Sequence, residues 1–393
     1  IIIALFIPFS LFTNIFLFFK NKNLIMEQKY IQFEVLEKLM VGLLMKAGIP
    51  EEDARIVTDV LLQADKFGID SHGVNRLKPI YLDRIKDGIL NPITNMEIVR
   101  EGPTTTVIDG HNGMGHVISY KAMNLTIEKA RKYGMAMTAV RNSTHYGIAG
   151  YYALMAVHED MIGVTGTNAR PSIAPTFGVE NMLGTNPLTF GIPSDEPFPF
   201  LIDCATSIIQ RGKIELWARE GKQMPKGLVI DENGESKTDP QEVLKDLNEG
   251  RAALAPLGGI GEETAGYKGY GYATVVEILS AALQQGSFMK MLLGNKDGKK
   301  VPIPIGHFFI AININAFTEP GNFKKTTGDI LRQLRASRKM PGQKRIYTAG
   351  EKEYYCWLER KDKGVPFNKD LLKEFRGLCN EYGFTEYLHY FEE

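Results

Sequence analysis

Cysteine is scarce in this chain: Cys204, Cys356 and Cys379 are the three among 393 residues. A small, odd and scattered set argues against a disulfide framework and contains no CxxC metal knuckle, so a reducing compartment, the cytoplasm, is the expected location. Excess charge is absent as well, because Lys plus Arg equals Asp plus Glu at 46 each. With no basic field and no long run of one sign, nothing marks the chain for nucleic acid or a membrane surface, and the expected partner is a small molecule. The phosphate-binding signatures of common nucleotide folds are also missing. "DGHNGMGHVIS" and "GYKGYGYAT" contain G-x-G without the third glycine, "GGIGEETAG" has the wrong spacing, and there is no P-loop. No H-x-x-x-H or H-E-x-x-H pattern offers a zinc site, so no metal is expected, and no G-x-S-x-G elbow would expose a serine nucleophile.

One long apolar run is present. "IIIALFIPFSLFTNIFLFF" carries no charge for nineteen residues before Lys20 and Lys22, which is enough to span a bilayer. Pro8, Ser10, Thr13 and Asn14 dilute it, no basic region precedes it and no small-residue cleavage site closes it. Two readings stand. Residues 1–25 are translated upstream sequence before a start at Met26, which the missing processing signals favour, or they are an anchor that leaves the body of the chain on the cytoplasmic side.

Periodicity supplies the elements. Leu36, Leu39, Met40 and Leu43 recur at helical spacing over 33–46, and Ala54, Val57, Leu61 and Ala64 do so after "GIP". Further helices are expected near 76–87, 117–133, 268–285 and 369–381. The apolar runs "MAMTAV", "MIGVTGT", "LTFGIP" and "FPFLIDCAT" read as strands. The polar stretch 223–262, with a turn at Glu232-Asn233-Gly234, reads as a surface excursion. The expectation is a mixed α/β (α+β) fold in two parts, long enough to enclose a cleft. A sheet domain at about 105–285 would lie beside a helical domain built from both ends, 26–104 plus about 286–393.

Chemistry concentrates in two glycine-bordered loops, the places where scaffolds present reactive groups. "GIDSHGVNR" holds Asp70, Ser71, His72 and Arg76. Asp70 could orient or charge-stabilise an imidazole, and Arg76 would sit one turn beyond His72 if a helix begins there, offering a fork to a carboxylate. A capped helix start, with Asp70 or Ser71 satisfying backbone N–H groups, is the competing reading. "RNSTHYGIAGYY" sets His145 beside Tyr146, whereas His116, His158 and His307 fall on helix or strand positions.

Eight ordered segments then carry a resemblance: "DSHGVNR", "GMGHVISYKAM", "STHYGIAGYYA", "GTNPLTFGIP", "DCATSIIQRGK", "GYKGYGYATVVEIL", "GHFFIAINI" and "AGEKEYYCWLERKDKGV". Together, from about 33 to 385, they resemble the malate/L-lactate dehydrogenase family, which includes sulfolactate and ureidoglycolate dehydrogenases and diketogulonate reductase. The resemblance implies a non-Rossmann NAD(P)-binding sheet of the sulfolactate dehydrogenase-like type, which explains the missing glycine fingerprint. It also implies an intertwined homodimer with the nicotinamide meeting substrate between two domains, and interconversion of a 2-hydroxy acid with a 2-oxo acid. Malate is the first expectation; lactate, ureidoglycolate, sulfolactate or another 2-oxo or imino acid are alternatives. By the same resemblance His72 and His145 match histidines with catalytic or substrate-binding roles, members differing over which moves the proton, and Arg76 matches the carboxylate-binding arginine; the expectation taken here is that His145 is the principal acid/base and that His72 assists it or fixes the substrate. Asp203-Cys204-Ala205, Pro256-Leu257-Gly258 and Gly350-Glu351-Lys352 resemble cofactor-contacting loops, and Ser71, Asn186 and Lys268 site-lining residues. Cys204 stands where many relatives carry Met and reads as a small apolar residue. NAD is preferred to NADP, with Glu351 and Lys352 as candidates of opposite sign for the adenosine 2′ position. An ordinary histidine pKa of about 6.5 would make both protonation states accessible near neutrality. An inactive, membrane-tethered binding protein on this fold is the distant alternative, against which His72, Arg76 and His145 argue.

Overall fold

The computed structural model describes residues 29–392; the apolar stretch 1–25 and the candidate start at Met26 lie outside them. In chain order the helices used below are α1 (Phe33–Lys46), α2 (Glu51–Lys66), α3 (Gly115–Tyr133), α4 (Gly150–Val157), α5 (Arg211–Glu220), α6 (Pro240–Glu249), α7 (Gly266–Ala281), α8 (Pro320–Ala336), α9 (Glu351–Lys363) and α10 (Lys369–Tyr382). The strands of the main sheet are β1 (Glu97–Glu101), β2 (Thr105–Asp109), β3 (Met135–Ser143), β4 (Met161–Thr167), β5 (Leu188–Ile192), β6 (Phe200–Cys204) and β7 (Ile305–Asn313). Among the described residues no helix is long and apolar enough to cross a membrane.

The apolar stripe of α1 does what its spacing predicts: Leu36, Leu39, Met40 and Leu43 are fully buried. Pro50 precedes α2, whose first turn carries Glu51, Glu52 and Asp53, acids that complement the positive end of a helix. Both helices pack against Phe375 and Leu378 of α10 and against Phe367 and Phe391, so the two chain ends share one apolar core. A short pairing of Lys29–Ile31 with Val365–Phe367 closes it.

The seven-stranded sheet runs β1-β2-β3-β7-β4-β5-β6. Only β2 and β3 are parallel neighbours, and α3 is the crossover such a pair requires. The other neighbours are antiparallel. The middle strand comes from the stretch that the sequence had assigned to the helical domain. In β7, Phe308, Phe309 and Ala311 are buried, as expected of a strand covered on both faces. Its place depends on pairing with residues more than a hundred positions away, which local pattern does not encode.

Two local expectations are corrected. The helix expected at 76–87 is α-helical only at Asp83–Lys86; Val74–Arg76 is a 3₁₀ turn and Leu77–Leu82 a π-helical one. Pro79 lies within the π turn and has no N–H to give the regular ladder. The stretch 223–262 is not a simple excursion. Val229–Asp231 pairs with Ala252–Leu254, and Val229, Val243 and Leu254 join Ile173 and Ile214 in a separate apolar cluster. Asp239 caps α6 by accepting from the N–H groups of Gln241 and Glu242.

Phe309 is fully buried in the middle strand, so Phe309→Ala is expected to cost about 3–5 kcal/mol. The check is a lowered urea midpoint with an unchanged slope.

Candidate active site

The loop after α2 is held from outside. Arg360 of α9 donates to both carboxylate oxygens of Asp70, at 2.5 and 3.0 Å, and to the Asp65 carbonyl at 2.6 Å. The buried Asp65 carboxylate accepts the Val74 N–H at 2.8 Å. Burial raises its pKa well above the usual carboxylate range, against the pull of that N–H. Gly73 is required here, since a Cβ would lie 2.0 Å from Asp65 Oδ1. Asp70 therefore does not serve an imidazole, as the sequence had suggested; it is an anchor. Ser71 takes the place beside the ring, its Oγ 2.8 Å from His72 Nδ1. Arg76 is oriented by donating from Nε to the Ser71 carbonyl at 2.5 Å, and pairs with no carboxylate among the described residues.

His145 follows β3, as the strand reading predicted. The Thr144 hydroxyl donates to the Gly113 carbonyl at 2.8 Å and accepts the Gly115 N–H at 2.9 Å, tying this loop to the start of α3. The rings of His72 and His145 stack, with centroids 5.8 Å apart and planes 19° from parallel. Tyr81 OH lies 2.5 Å from His145 Nδ1, and the Gly147 N–H reaches the same atom at 3.3 Å. A backbone N–H can only donate, so Nδ1 accepts and the neutral ring carries its proton on Nε2.

Burial, reinforced by Arg76, lowers the His72 pKa to about 4. His145 is held well below the ordinary histidine value by burial first, then by the charges of His72, His116, Arg84 and Arg76. The expectation of two accessible charge states near neutrality is thus corrected for the free protein: both rings are neutral. Burial pushes the Tyr81 phenol upward, so it remains a donor.

Sequence reasoning did not single out Tyr81 and placed His116 only on a helix or strand position. Tyr81 packs its ring 4.7 Å from that of His116, a buried histidine with no hydrogen-bond partner on either nitrogen among the described residues and a pKa lowered by burial to about 3. His307 is a structural pin. Its nitrogens meet Thr167 Oγ1 and Ser143 Oγ at 2.8 Å each, and its ring stacks 4.4 Å from Tyr146.

A cavity of about 200 Å³ joins Ser71, His72 and Arg76 to Asp203 and Ala205 of the β6 end. Asp203 is half-buried and already engaged, accepting from the Gly150 N–H at 2.6 Å and Thr189 Oγ1 at 2.9 Å. Burial, then the Asp203 charge, pushes the Cys204 thiol up, which keeps it from being a ready nucleophile. Leu257 donates its N–H to the Thr206 carbonyl at 2.8 Å, so Pro256-Leu257-Gly258 lies against the continuation of β6, although Pro256 lines a different cavity, near Phe177. Gly350 lies at the other end of β6, where a Cβ would come 2.5 Å from the Pro199 carbonyl. Glu351 is fully buried and engaged by Arg345 and the Thr348 N–H; Lys352 projects over the Tyr347 ring. Asn186 is also fully buried, bonded to Glu277, the Ala273 carbonyl and the Ala169 N–H. Lys268 is exposed on the first turn of α7. One chain therefore brings Ser71, His72, Arg76, His145, Asp203 and Ala205 together, and leaves Asp70, Asn186, Lys268, Pro256 and Glu351 outside that group.

The wall of the same cavity offers a place for one phosphate of a nicotinamide dinucleotide. Gln210, which precedes α5, places no side-chain cap on its first N–H groups, and Gly212 opens that turn to the cavity with only Ser71 Cβ, at 4.0 Å, facing a would-be Cβ. Uncapped N–H groups at a helix start suit a phosphate.

The malate/L-lactate dehydrogenase family model matches residues 31–376, and the chain belongs to this family. It is 44% identical over 359 residues to malate dehydrogenase of Pyrococcus abyssi, covering 91% of this chain and 96% of that one. It is 38% identical over 347 residues to L-sulfolactate dehydrogenase of Methanocaldococcus jannaschii, covering 88% and 95%. The crystal structure of malate dehydrogenase from Entamoeba histolytica matches with a TM-score of 0.88 and 46% identity, covering 91% of this chain and 99% of that chain. The protein is accordingly a hydroxy acid dehydrogenase of mixed α/β fold that uses a nicotinamide cofactor and a small-molecule substrate.

His116 and His307 are fully buried, with pKa values lowered to about 3. The unfolded chain binds protons at about pH 6.5 and the folded one does not. Stability should therefore be intact above that pH and decline as pH falls toward the folded values, by about 1.4 kcal/mol per pH unit for each ring. Urea unfolding at pH 7.5, 6.0 and 5.0 measures it, and a flat profile contradicts it.

Proposed function

We propose that the chain interconverts a 2-hydroxy acid and its 2-oxo acid, with malate and oxaloacetate the preferred pair, NAD the preferred cofactor and the cytoplasm the location. The observation that carries this reading is the stacking of His72 on His145 at 5.8 Å in a cleft that Arg76 lines. Arg76 binds the substrate carboxylate through its planar fork. With His145 Nδ1 engaged by Tyr81 and Gly147, Nε2 is the nitrogen left for the substrate oxygen: in reduction the doubly protonated ring gives its Nε2 proton and is left neutral with a proton on Nδ1, and in oxidation that Nδ1-protonated tautomer takes the hydroxyl proton at Nε2. Tyr81 OH donates to Nδ1 of the resting ring and, rotated, accepts from Nδ1–H in the charged ring and in the tautomer that takes part in the transfer. An anionic substrate offsets the Arg76 and Arg84 charges that depress His145, which raises its proton affinity in the complex. His72, steadied by Ser71, orients the substrate. A bound nicotinamide supplies hydride exchange at the carbinol carbon.

Arg84 favours a substrate with a second anionic group. It is half-buried within electrostatic reach of Tyr81 and Arg170, and no carboxylate among the described residues pairs with it. The names of the relatives agree with malate. Sulfolactate, with the same charge count, is the second reading.

Absorbance assays of NADH and NADPH with oxaloacetate, sulfopyruvate and pyruvate test this, with oxaloacetate expected fastest. His145→Ala should lower kcat by ~100- to 10,000-fold, the usual scale for general acid–base catalysis, and Arg76→Lys should mainly raise KM. If His72→Ala and His145→Ala both keep full kcat, the reading fails.

We further propose a homodimer that covers α7, where Tyr272, Val275 and Ile278 form an apolar row exposed by 57%, 47% and 53%. Light scattering should give twice the chain mass, and Ile278→Glu should shift it toward the monomer.

A further inference from the structure

Tyr81 reaches His145 from an irregular piece of helix whose turns change width in a fixed order. The Arg76 N–H donates to the Gly73 carbonyl and the Leu77 N–H to the Val74 carbonyl, each three residues back. Leu77–Leu82 then widens into a π turn, after which the Asp83 N–H donates to the Lys78 carbonyl, five residues back. Asp83–Lys86 closes as ordinary α-helix. The chain is wound tightly, then widely, then regularly.

The wide turn changes which side chains share a side. Five residues carry a regular α-helix through ~500°, which leaves positions i and i+5 about 140° apart. Bonds from i to i+5 bring such positions back to nearly one face. Two pairs in this segment behave so. Lys78 Nζ donates to both carboxylate oxygens of Asp83, at 2.8 and 2.9 Å. Arg76 and Tyr81 both turn toward the histidines: Arg76 lines the cavity with His72, and Tyr81 OH lies 2.5 Å from His145 Nδ1. Tyr81 is fully buried, as are Leu77 and nearly so Leu82 beside it, and its ring packs on that of His116. A phenol enclosed in this way cannot swing back if its backbone starts from the wrong register.

Pro79 stands inside the wide turn. It has no N–H for the α ladder, and in an α turn its ring would meet the carbonyl four residues back, that of Asn75. Its side chain is exposed, so replacing it removes little packing and acts through the backbone. We propose that Pro79 is a positioning residue for the acid/base group: by closing the α register to this turn it carries Tyr81 round to His145 Nδ1. This rests on the reading of His145 as the group that moves the proton.

Steady-state kinetics with oxaloacetate and NADH, together with nitrogen-15 spectra of the histidine-labelled free protein, test it. Tyr81→Phe should lower kcat by ~10- to 100-fold, the scale of one hydrogen bond to a charged group, and should move the His145 Nδ1 resonance. Pro79→Ala should act in the same direction in both measurements with KM little changed, because Arg76 lies ahead of the turn. Added to Tyr81→Phe it should change kcat by no more than about twofold, whereas a general loosening of the fold would lower kcat again. Deletion of Pro79 leaves Arg76 and Tyr81 four positions apart, a spacing that a regular α-helix sets on one face; it should restore the resonance and most of kcat. Full kcat with an unmoved resonance in Pro79→Ala, or an undiminished further loss in the double variant, overturns the proposal. If Pro79→Ala does not fold, the deletion decides: a resonance in its original place supports the proposal and a displaced one overturns it. If Tyr81→Phe keeps full kcat, the acid/base reading falls, while the resonance in Pro79→Ala still tests the placement of Tyr81.

Discussion

Arg360 is the tie on which the turn from Asp70 to Arg76 depends. From α9 it reaches Asp70 with two bonds and the end of α2 with a third, so the turn between them has little freedom left. Guanidinium–carboxylate forks of this kind restrict direction as well as distance. Ser71, His72 and Arg76 inherit their positions from that restraint, helped by the buried Asp65 that caps Val74 past a residue that must be glycine. An ion pair set at the back of the loop thus keeps a negative charge away from the imidazoles and still governs where they point.

That separation matters for the histidines. Two imidazoles stacked at 5.8 Å with cations nearby and no carboxylate bonded to either resist protonation, and both are held below their ordinary range. With both rings neutral, Arg76 and Arg84 are the fixed charges that bear on His145 in the free protein. On the proposed mechanism an organic anion that offsets them makes a proton on the ring easier to hold, so that binding and proton supply are coupled through electrostatics.

The placement of β7 links this chemistry to the rest of the chain. The strand comes from late sequence and is paired between β3, which ends just before His145, and β4. His307 on β7 bonds Ser143 and Thr167 on those two neighbours. The β3 end that delivers His145 is thus braced by a segment far from it in sequence, while α9 and α10 return to the helices of the opposite end.

Local pattern was enough for α1, α2, α3 and the strands around His145 and Asp203, because apolar spacing and turn residues are properties of neighbouring positions. The motif content likewise marked His72, His145 and Arg76, and the resemblance they carry identified the family. Other features depend on partners that neighbouring residues cannot reveal. Asp70 was read as a helper of His72 because it lies two residues away, yet its charge is taken by Arg360, 290 positions on. Tyr81 carried no signal in the sequence until the fold set its hydroxyl against His145, and Asn186 looked like a site residue until the fold enclosed it with Glu277. Composition and periodicity determined which groups were available and which segments would fold; the tertiary structure alone decided which charges are paired and which are left for a ligand. Burial and long-range contact set the cost of a charge, and neither is a property of one stretch of sequence.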